Sequence, residues 1–343
     1  MKKVLVTGDR GYIGSTLVPA LLKKDISVIG LDTNFFTKVL GNPQTVKYKK
    51  ITKDIRKIEE KDLYEIDAII HLSALSNDPM GDINPKLTED INYKGSIRLA
   101  RLAKKAGVKR FLFSSSCSIY GIGKQKIVDE KSPVNPLTAY AKSKIKTENT
   151  LFTLADSDFC VGLLRNSTVY GYSPKFRDDL VVNNFAVHAV AEKNIKVLSD
   201  GTPWRPLIDV RDLSDIFEKF LRIEKNKING KVINIGFNDN NLQVKDVLEV
   251  VQKTIRGCIV EYTGEHGIDT RSYKVSFALF EKLFPEIKQK WPLEKSVKDL
   301  IRHLGEAKFS KIDLENKKYT RLAVLQKLMD KHKLDKNLYW KKL

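Results

Sequence analysis

Short apolar runs alternate with amphipathic stretches from the start of the chain. Lys3–Thr7 (KVLVT) reads as a buried strand, Tyr12–Lys24 has helical spacing, and Ser27–Leu31 (SVIGL) is the next strand. Asp67–Leu72, Arg110–Ser114 and Phe159–Leu164 repeat the theme, with helix-like segments between them. Apolar runs of this length alternating with helices predict βαβ units, hence an α/β fold with a doubly wound parallel sheet covered on both faces. After about Tyr170 the rhythm shortens. Strand-like pieces at Lys196–Leu198, Leu207–Val210, Lys231–Ile235 and Cys258–Tyr262 alternate with helical patterns at Asp179–Glu192, Val210–Ile223 and Val244–Ile255. This predicts a first domain over 1–170, a smaller α/β domain over 171–304 with the first sheet rejoined near 205–225, and a lysine-rich helical extension over 305–343. Leu322, Leu325, Leu328 and Met329 give that extension an apolar stripe expected to dock on the body.

Composition narrows the class. The 343 residues are 42% hydrophobic and 30% charged, which excludes whole-chain disorder. No run approaches the ~18 apolar residues of a membrane span, and the start of the chain shows no signal-peptide pattern. Three scattered cysteines, Cys117, Cys160 and Cys258, exclude a disulfide scaffold, offer no metal-site spacing, and fit a reducing cytoplasm. The formal net charge is +19, from 61 Lys+Arg against 42 Asp+Glu. The lysines are spread along the chain without a nucleic-acid-binding motif, so nucleic acid is not the expected partner. A basic surface does favour small anionic substrates.

Thr7–Gly14 reads TGDRGYIG, directly after a strand and opening a helix. Gly8 permits the tight turn, Gly11 lets backbone approach a pyrophosphate, and Gly14 allows close helix–strand packing. Tyr12 and Ile13 complete the loop, and the helix N-terminus faces the phosphates. The second strand ends in Asp32, 18 residues past Gly14. A carboxylate there accepts from ribose hydroxyls and repels a 2′-phosphate, which selects NAD. This is the signature of a Rossmann-type domain. Asp54 and Ile55, after the third strand-like run, are placed to reach the adenine, and Leu72, Ser73 and Ala74 at the end of the fourth should lie along the dinucleotide. Ser76 and Asn77 follow, facing nicotinamide and substrate. His71 reads as structural.

Tyr140–Lys144 (YAKSK) places a phenol and an ammonium at i and i+4 on one helix face. A nearby ammonium lowers a phenol that ordinarily titrates near 10, so Tyr140 can exchange a proton with a substrate hydroxyl. Ser114–Gly121 (SSSCSIYG) ends the fifth strand 24 residues before Tyr140 when counted from Ser116. A serine there can hold the same oxygen. Spacing alone leaves open which one.

Together TGDRGYIG, HLSA, Asn92, SSSCSIYG, YAKSK and RNSTVYG resemble, in order, the extended short-chain dehydrogenase/reductases. The resemblance is to the NAD-dependent epimerase/dehydratase family of nucleotide-sugar enzymes and runs from residue 2 to about 304. It implies Ser116 as the catalytic serine, Tyr140 as acid/base and Lys144 as the ribose-binding lysine. Asn92 matches the asparagine of the helix beside the active site. Asn166, Asn183, Arg205 and Arg271 fall where the family meets the substrate and its diphosphate. A homodimer through helices near Asn92–Lys105 and Tyr140–Leu154 is also implied. The chain departs from the family's 4,6-dehydratases, which carry an Asp-Glu pair after the catalytic residue; here Cys117-Ser118 stand there. It departs again at Asp209 and Arg211, where a histidine and an acid are usual. Ser173–Leu180 (SPKFRDDL) resembles a bacterial subgroup linked to surface-polysaccharide sugars, including C4 dehydrogenases of nucleotide-activated heptoses, and Lys175 and Arg177 there are placed to meet an anion. The expected activity is therefore C4 epimerisation of a nucleotide sugar. A 4-dehydrogenase or 4-ketoreductase would use the same residues. A dinucleotide-binding scaffold or sensor is the non-enzyme alternative.

Overall fold

The computed structural model describes residues 3–76, 84–122, 127–263 and 272–341. In chain order its strands are β1 (Lys3–Thr7), β2 (Ser27–Asp32), β3 (Lys49–Thr52), β4 (Ala68–His71), β5 (Arg110–Ser116), β6 (Cys160–Asn166), β7 (Thr168–Tyr170), β8 (Asn194–Val197), β9 (Trp204–Asp209), β10 (Lys231–Ile235), β11 (Asn241–Gln243) and β12 (Ile259–Tyr262). Seven of them form one parallel sheet in the order β10-β6-β5-β4-β1-β2-β3. The order reverses between β1 and β4, so the carboxyl ends of these strands open a crevice there. β4 and β6 are buried along their whole length, whereas the edge strand β3 (KKIT) turns lysines outward.

Successive side chains feed opposite faces. Leu5, Ile69, Phe111 and Phe113 pack under α2 (Ser96–Lys105) and α3 (Ala139–Leu154). Val4, Val6 and Ile70 pack with Leu17 of α1 (Gly14–Leu22) and Phe217 of α5 (Val210–Arg222) on the other face. The second unit joins the sheets β11-β9-β7 and β12-β8 to α4 (Val181–Glu192), α6 (Val244–Thr254) and α7 (Leu293–Glu306) around Tyr170, Phe185, Leu207, Leu248 and Val297.

The strand that rejoins the main sheet is β10 beside β6, not the segment near 205–225. β9 pairs with β7 and β11 in the second unit. Its last residue, Asp209, caps α5 and is held by Arg211 and Ser296, which fixes the strand there. The chain returns to the first unit as helix α5, and then as β10. The extension contributes α8 (Lys311–Glu315) and α9 (Arg321–Asp330). Leu325, Leu334 and Leu338 are buried in the core of the first unit, with Leu322, Leu328 and Met329 packed against it. Among the described residues no helix is long and apolar enough to cross a membrane.

Candidate active site

A cleft of about 1040 Å³ runs along the carboxyl ends of the central strands and under the second unit. Its wall at one end is Gly8, Gly11, Tyr12, Ile13 and Gly14. Gly8 adopts φ 75° and its missing side chain leaves room for the Leu72–Ser73 backbone; a Cβ there would stand 3.1 Å from Ser73 N. A Cβ on Gly14 would come within 2.6 Å of Asp9 Cα. Both positions therefore need glycine, and the chain makes a cradle too tight for any side chain. α1 starts without a side-chain cap; the Ser15 and Thr16 N–H groups are taken by Gly11 O and Ile13 O, and the N–H of Gly14, the helix's first residue, is left for an anion.

Asp32 ends β2 at the same end of the cleft and accepts from the Asn34 N–H at 2.6 Å. Burial raises its carboxyl above the usual range, with Arg10 opposing. Arg10 ties the strand ends together, donating to the carbonyls of Asp32 (2.7 Å) and Ile51 (3.1 Å). Asp54 and Ile55 also line the cleft. Asp54 is already engaged by Arg56, whose Nε and Nη2 lie 2.9 and 2.7 Å from it. The glycine cradle, the ribose-side carboxylate and the crevice position together fit a dinucleotide.

Leu72, Ser73, Ala74 and Ser76 form the floor. His71 lies behind them, bonded to Thr7 Oγ1 (2.6 Å) and Ser96 Oγ (2.7 Å). Burial pushes its imidazole down to about 3, so it stays neutral and structural. Asn92 does not line the cleft. It sits in a π-helical stretch, Glu89–Gly95, and clamps the floor from below: its amide accepts from Leu75 N (2.8 Å) and donates to Leu75 O (3.1 Å) and Ser143 Oγ (3.1 Å).

At the other end, Thr138 caps α3, and the helix carries Tyr140 and Lys144 into the cleft wall. Lys144 Nζ donates to Ser114 O at 2.6 Å and lies 5.5 Å from the Tyr140 ring centroid. Burial pushes this ammonium down to about 7, with Glu148 opposing. The three serines divide by strand alternation. Ser115 turns its hydroxyl to Glu148, which also holds Arg165. Ser114 accepts from Asn166 Nδ2 at 2.8 Å. All three line the cleft, and Ser116, at the strand's end, accepts only a backbone N–H of the following turn, that of Ser118 at 3.1 Å. Cys117 points away, donating to Arg165 O, and burial pushes its thiol up. Ser118 lines the cleft with a buried hydroxyl that has no hydrogen-bond partner among the described residues.

On the substrate side Asn166 and Arg205 line the cleft. Asn183 does not. It turns inward, accepting from Gly171 N (2.9 Å) and donating to Arg177 O (2.9 Å) and Tyr12 Oη (3.2 Å), while its neighbour Asn184 reaches the wall. Asn77 and Arg271 lie outside the described residues. Asp209 and Arg211 form an ion pair at 2.7 Å, with Arg211 stacked on Trp291, away from the cleft wall. Lys175 is likewise off the wall and donates to Thr37 O. Arg177 is on it, paired by two 2.9 Å bonds to Asp179 and donating to Ser76 Oγ at 3.2 Å. Sequence reasoning passed over Asp179, Ser118 and Arg321 of the extension, which also line the cleft.

A profile of the NAD dependent epimerase/dehydratase family matches residues 4–236. The UDP-glucuronate 4-epimerase of Thermodesulfobacterium geofontis is 28% identical over 318 residues, covering 85% of this chain and 94% of that protein. The dTDP-D-glucose 4,6-dehydratase of Bos taurus is 29% identical over 270 residues, 74% of each chain. The fold matches that of the UDP-glucuronic acid 4-epimerase from Bacillus cereus, solved in complex with UDP-glucuronic acid and NAD. The TM-score is 0.77 at 23% identity, over 89% of this chain and 99% of that one.

Proposed function

The chain belongs to the NAD-dependent epimerase/dehydratase family, and from that premise we propose that it epimerises a nucleotide-diphosphate sugar at C4 by transient oxidation. One observation supports this most: Ser116, Tyr140 and Lys144 share a cleft with the glycine cradle and Asp32, while Cys117 and Ser118 stand where a dehydratase needs carboxyl groups. The described carboxylates of the cleft wall are Asp32 and Asp54, at the cradle end, and Asp179, bound to Arg177. The family includes dehydratases, so it is this residue content that favours the epimerase.

NAD supplies the hydride acceptor and donor when bound. Gly8–Gly14 and the start of α1 hold its diphosphate, and Asp32 accepts from the adenosine ribose hydroxyls. Lys144 sits against the Tyr140 ring, where a positive charge favours the phenolate. Tyr140 then takes the proton of the C4 hydroxyl and later returns it to the C4 oxygen, and Ser116 donates a hydrogen bond to that same oxygen. Arg205 binds the substrate diphosphate. Between the two proton transfers the 4-keto sugar presents its other face, for which a cleft of about 1040 Å³ gives room. Release of the ketone would make the same residues a 4-dehydrogenase; the reverse reaction would be a 4-ketoreductase. We also propose a homodimer through α2 and α3.

The test is incubation of the purified chain with NAD and a panel of UDP-, GDP-, dTDP- and CDP-hexoses. Formation of a C4 epimer without net NADH supports the reading. NADH in step with a 4-keto sugar would replace it with an oxidoreductase, and a 4-keto-6-deoxy product with a dehydratase.

A further inference from the structure

The C-terminal extension reaches the cofactor end of the cleft. Arg321, the first residue of α9, lines the cleft and is only 4% exposed. Its guanidinium lies 4.2 Å over the Phe36 ring and donates to Lys175 O at 2.6 Å. Lys175 belongs to a segment fastened to the start of α1: its N–H donates to Ser15 Oγ, and Ser173 Oγ donates to Tyr12 O at 2.7 Å. The guanidinium thus stands beside the helix turn that follows the glycine cradle.

Its electrostatic situation is incomplete. Among the described residues no carboxylate lies within 4.0 Å of it. Arg177, the other buried arginine of this wall, has Asp179 at 2.9 Å. Burial and the neighbouring Arg177 push Arg321 down to about 9, with Asp179 and Asp32 opposing more weakly. A buried cation without a counter-ion is costly, and an arginine fork matches phosphate oxygens. The extension that delivers it is held firmly. Trp340 Nε1 donates to Thr33 O at 2.7 Å, and Arg56 stacks at 3.8 Å on Tyr339.

We propose that the extension is a working part of the cofactor site, in which Arg321 supplies the cationic partner for the dinucleotide's diphosphate. The inference rests on the dinucleotide reading of the cleft and goes beyond it, because the family profile ends at residue 236.

The experiment compares the full-length chain with R321M and R321K, each titrated calorimetrically with ADP and with adenosine. R321M should lose about tenfold or more in ADP affinity, the size of a lost charge-assisted pair. R321K should fall between, and adenosine affinity should be equal in all three. Equal ADP affinity in R321M overturns the proposal. So does a parallel loss for ADP and adenosine, which would make the extension a shaping strap only. Should R321M fail to fold, hydrogen exchange on the wild-type chain decides. Protection of peptide 318–326 by ADP and not by adenosine supports the proposal; identical exchange with both contradicts it. A wild-type chain that binds neither ADP nor NADH would instead sink the dinucleotide reading itself.

Discussion

Lys144 Nζ is fixed at 2.6 Å from the carbonyl of Ser114, which leaves it 5.5 Å from the centre of the Tyr140 ring. The carbonyl belongs to β5 and the tyrosine to α3, so one hydrogen bond sets the distance between a charge and the phenol it acts on. Tyr140→Phe removes the proton acceptor alone. It is expected to lower kcat by about 10²–10⁴ while NADH binding is kept. Lys144→Met removes the charge. It should weaken NADH binding and move the rise of kcat/KM to higher pH by about one unit or more. Steady-state pH profiles and NADH titration check both. A Tyr140→Phe chain with full turnover would contradict the assignment.

The serines of β5 predict two different phenotypes. Ser116→Ala should cost roughly 10²-fold in kcat, as for loss of one donor to a reacting oxygen, with a fall in stability of about 0.5–2 kcal/mol for the lost cap on the Ser118 N–H. Ser115→Ala leaves the buried Glu148 short of a donor and should lower stability by about 1–3 kcal/mol. Thermal melts and kinetics on the pair separate the roles.

Gly14→Ala is expected to abolish NADH binding and to lower Tm sharply. The new methyl meets backbone, Asp9 Cα at 2.6 Å, and cannot be relieved by a rotamer change. Retained NADH affinity in that variant would contradict the cradle.

Asp9 sits just behind the cradle, almost wholly buried, with Oδ2 accepting from Tyr48 at 2.7 Å and Oδ1 without a partner among the described residues. Burial raises its carboxyl from 3.8 to about 6, with Tyr48 opposing. The folded chain therefore binds this proton more tightly than the unfolded one. That stabilisation is full below pH ~4 and is lost as pH rises through about 6, a change of roughly 3 kcal/mol. Asp9→Asn is neutral throughout. Its Tm should fall less between pH 5 and pH 8 than that of the wild-type chain, as scanning calorimetry at the two pH values will show. Equal slopes would contradict the burial argument.

Much of the first unit was legible in the sequence. β1, β2, β4, β5 and β6 each contain an apolar run that closes on Gly, Asp, His, Ser or Asn at or next to its end, which needs no tertiary information; β10 also reads as a strand, but nothing local tells that it joins the first sheet. The pairing of β9 was not legible, because Leu207 and Ile208 suit either sheet and the choice is made by Arg211 and Ser296 gripping Asp209. The glycine cradle, Asp32 and the YxxxK pair were legible because their chemistry depends on local spacing. Asn183, expected on the substrate side, turns inward instead. Successive residues there point about 100° apart, so Asn184 takes the wall and Asn183 the interior. Asn92, which the resemblance places on the helix beside the active site, acts on the cleft through Leu75 by two hydrogen bonds. Arg321 had no local signal at all: its role depends on where the extension docks.

The central claim is a closed redox cycle at C4, and hydrogen tracing tests it most directly. Nucleotide hexoses deuterated at C4 are incubated with the chain and catalytic NAD, and the products are read by NMR. The account predicts a C4 epimer that keeps its deuterium at C4, with no NADH accumulating. A 4-keto product with stoichiometric NADH, a 4-keto-6-deoxy product, or an epimer whose C4 deuterium has washed into solvent would contradict it.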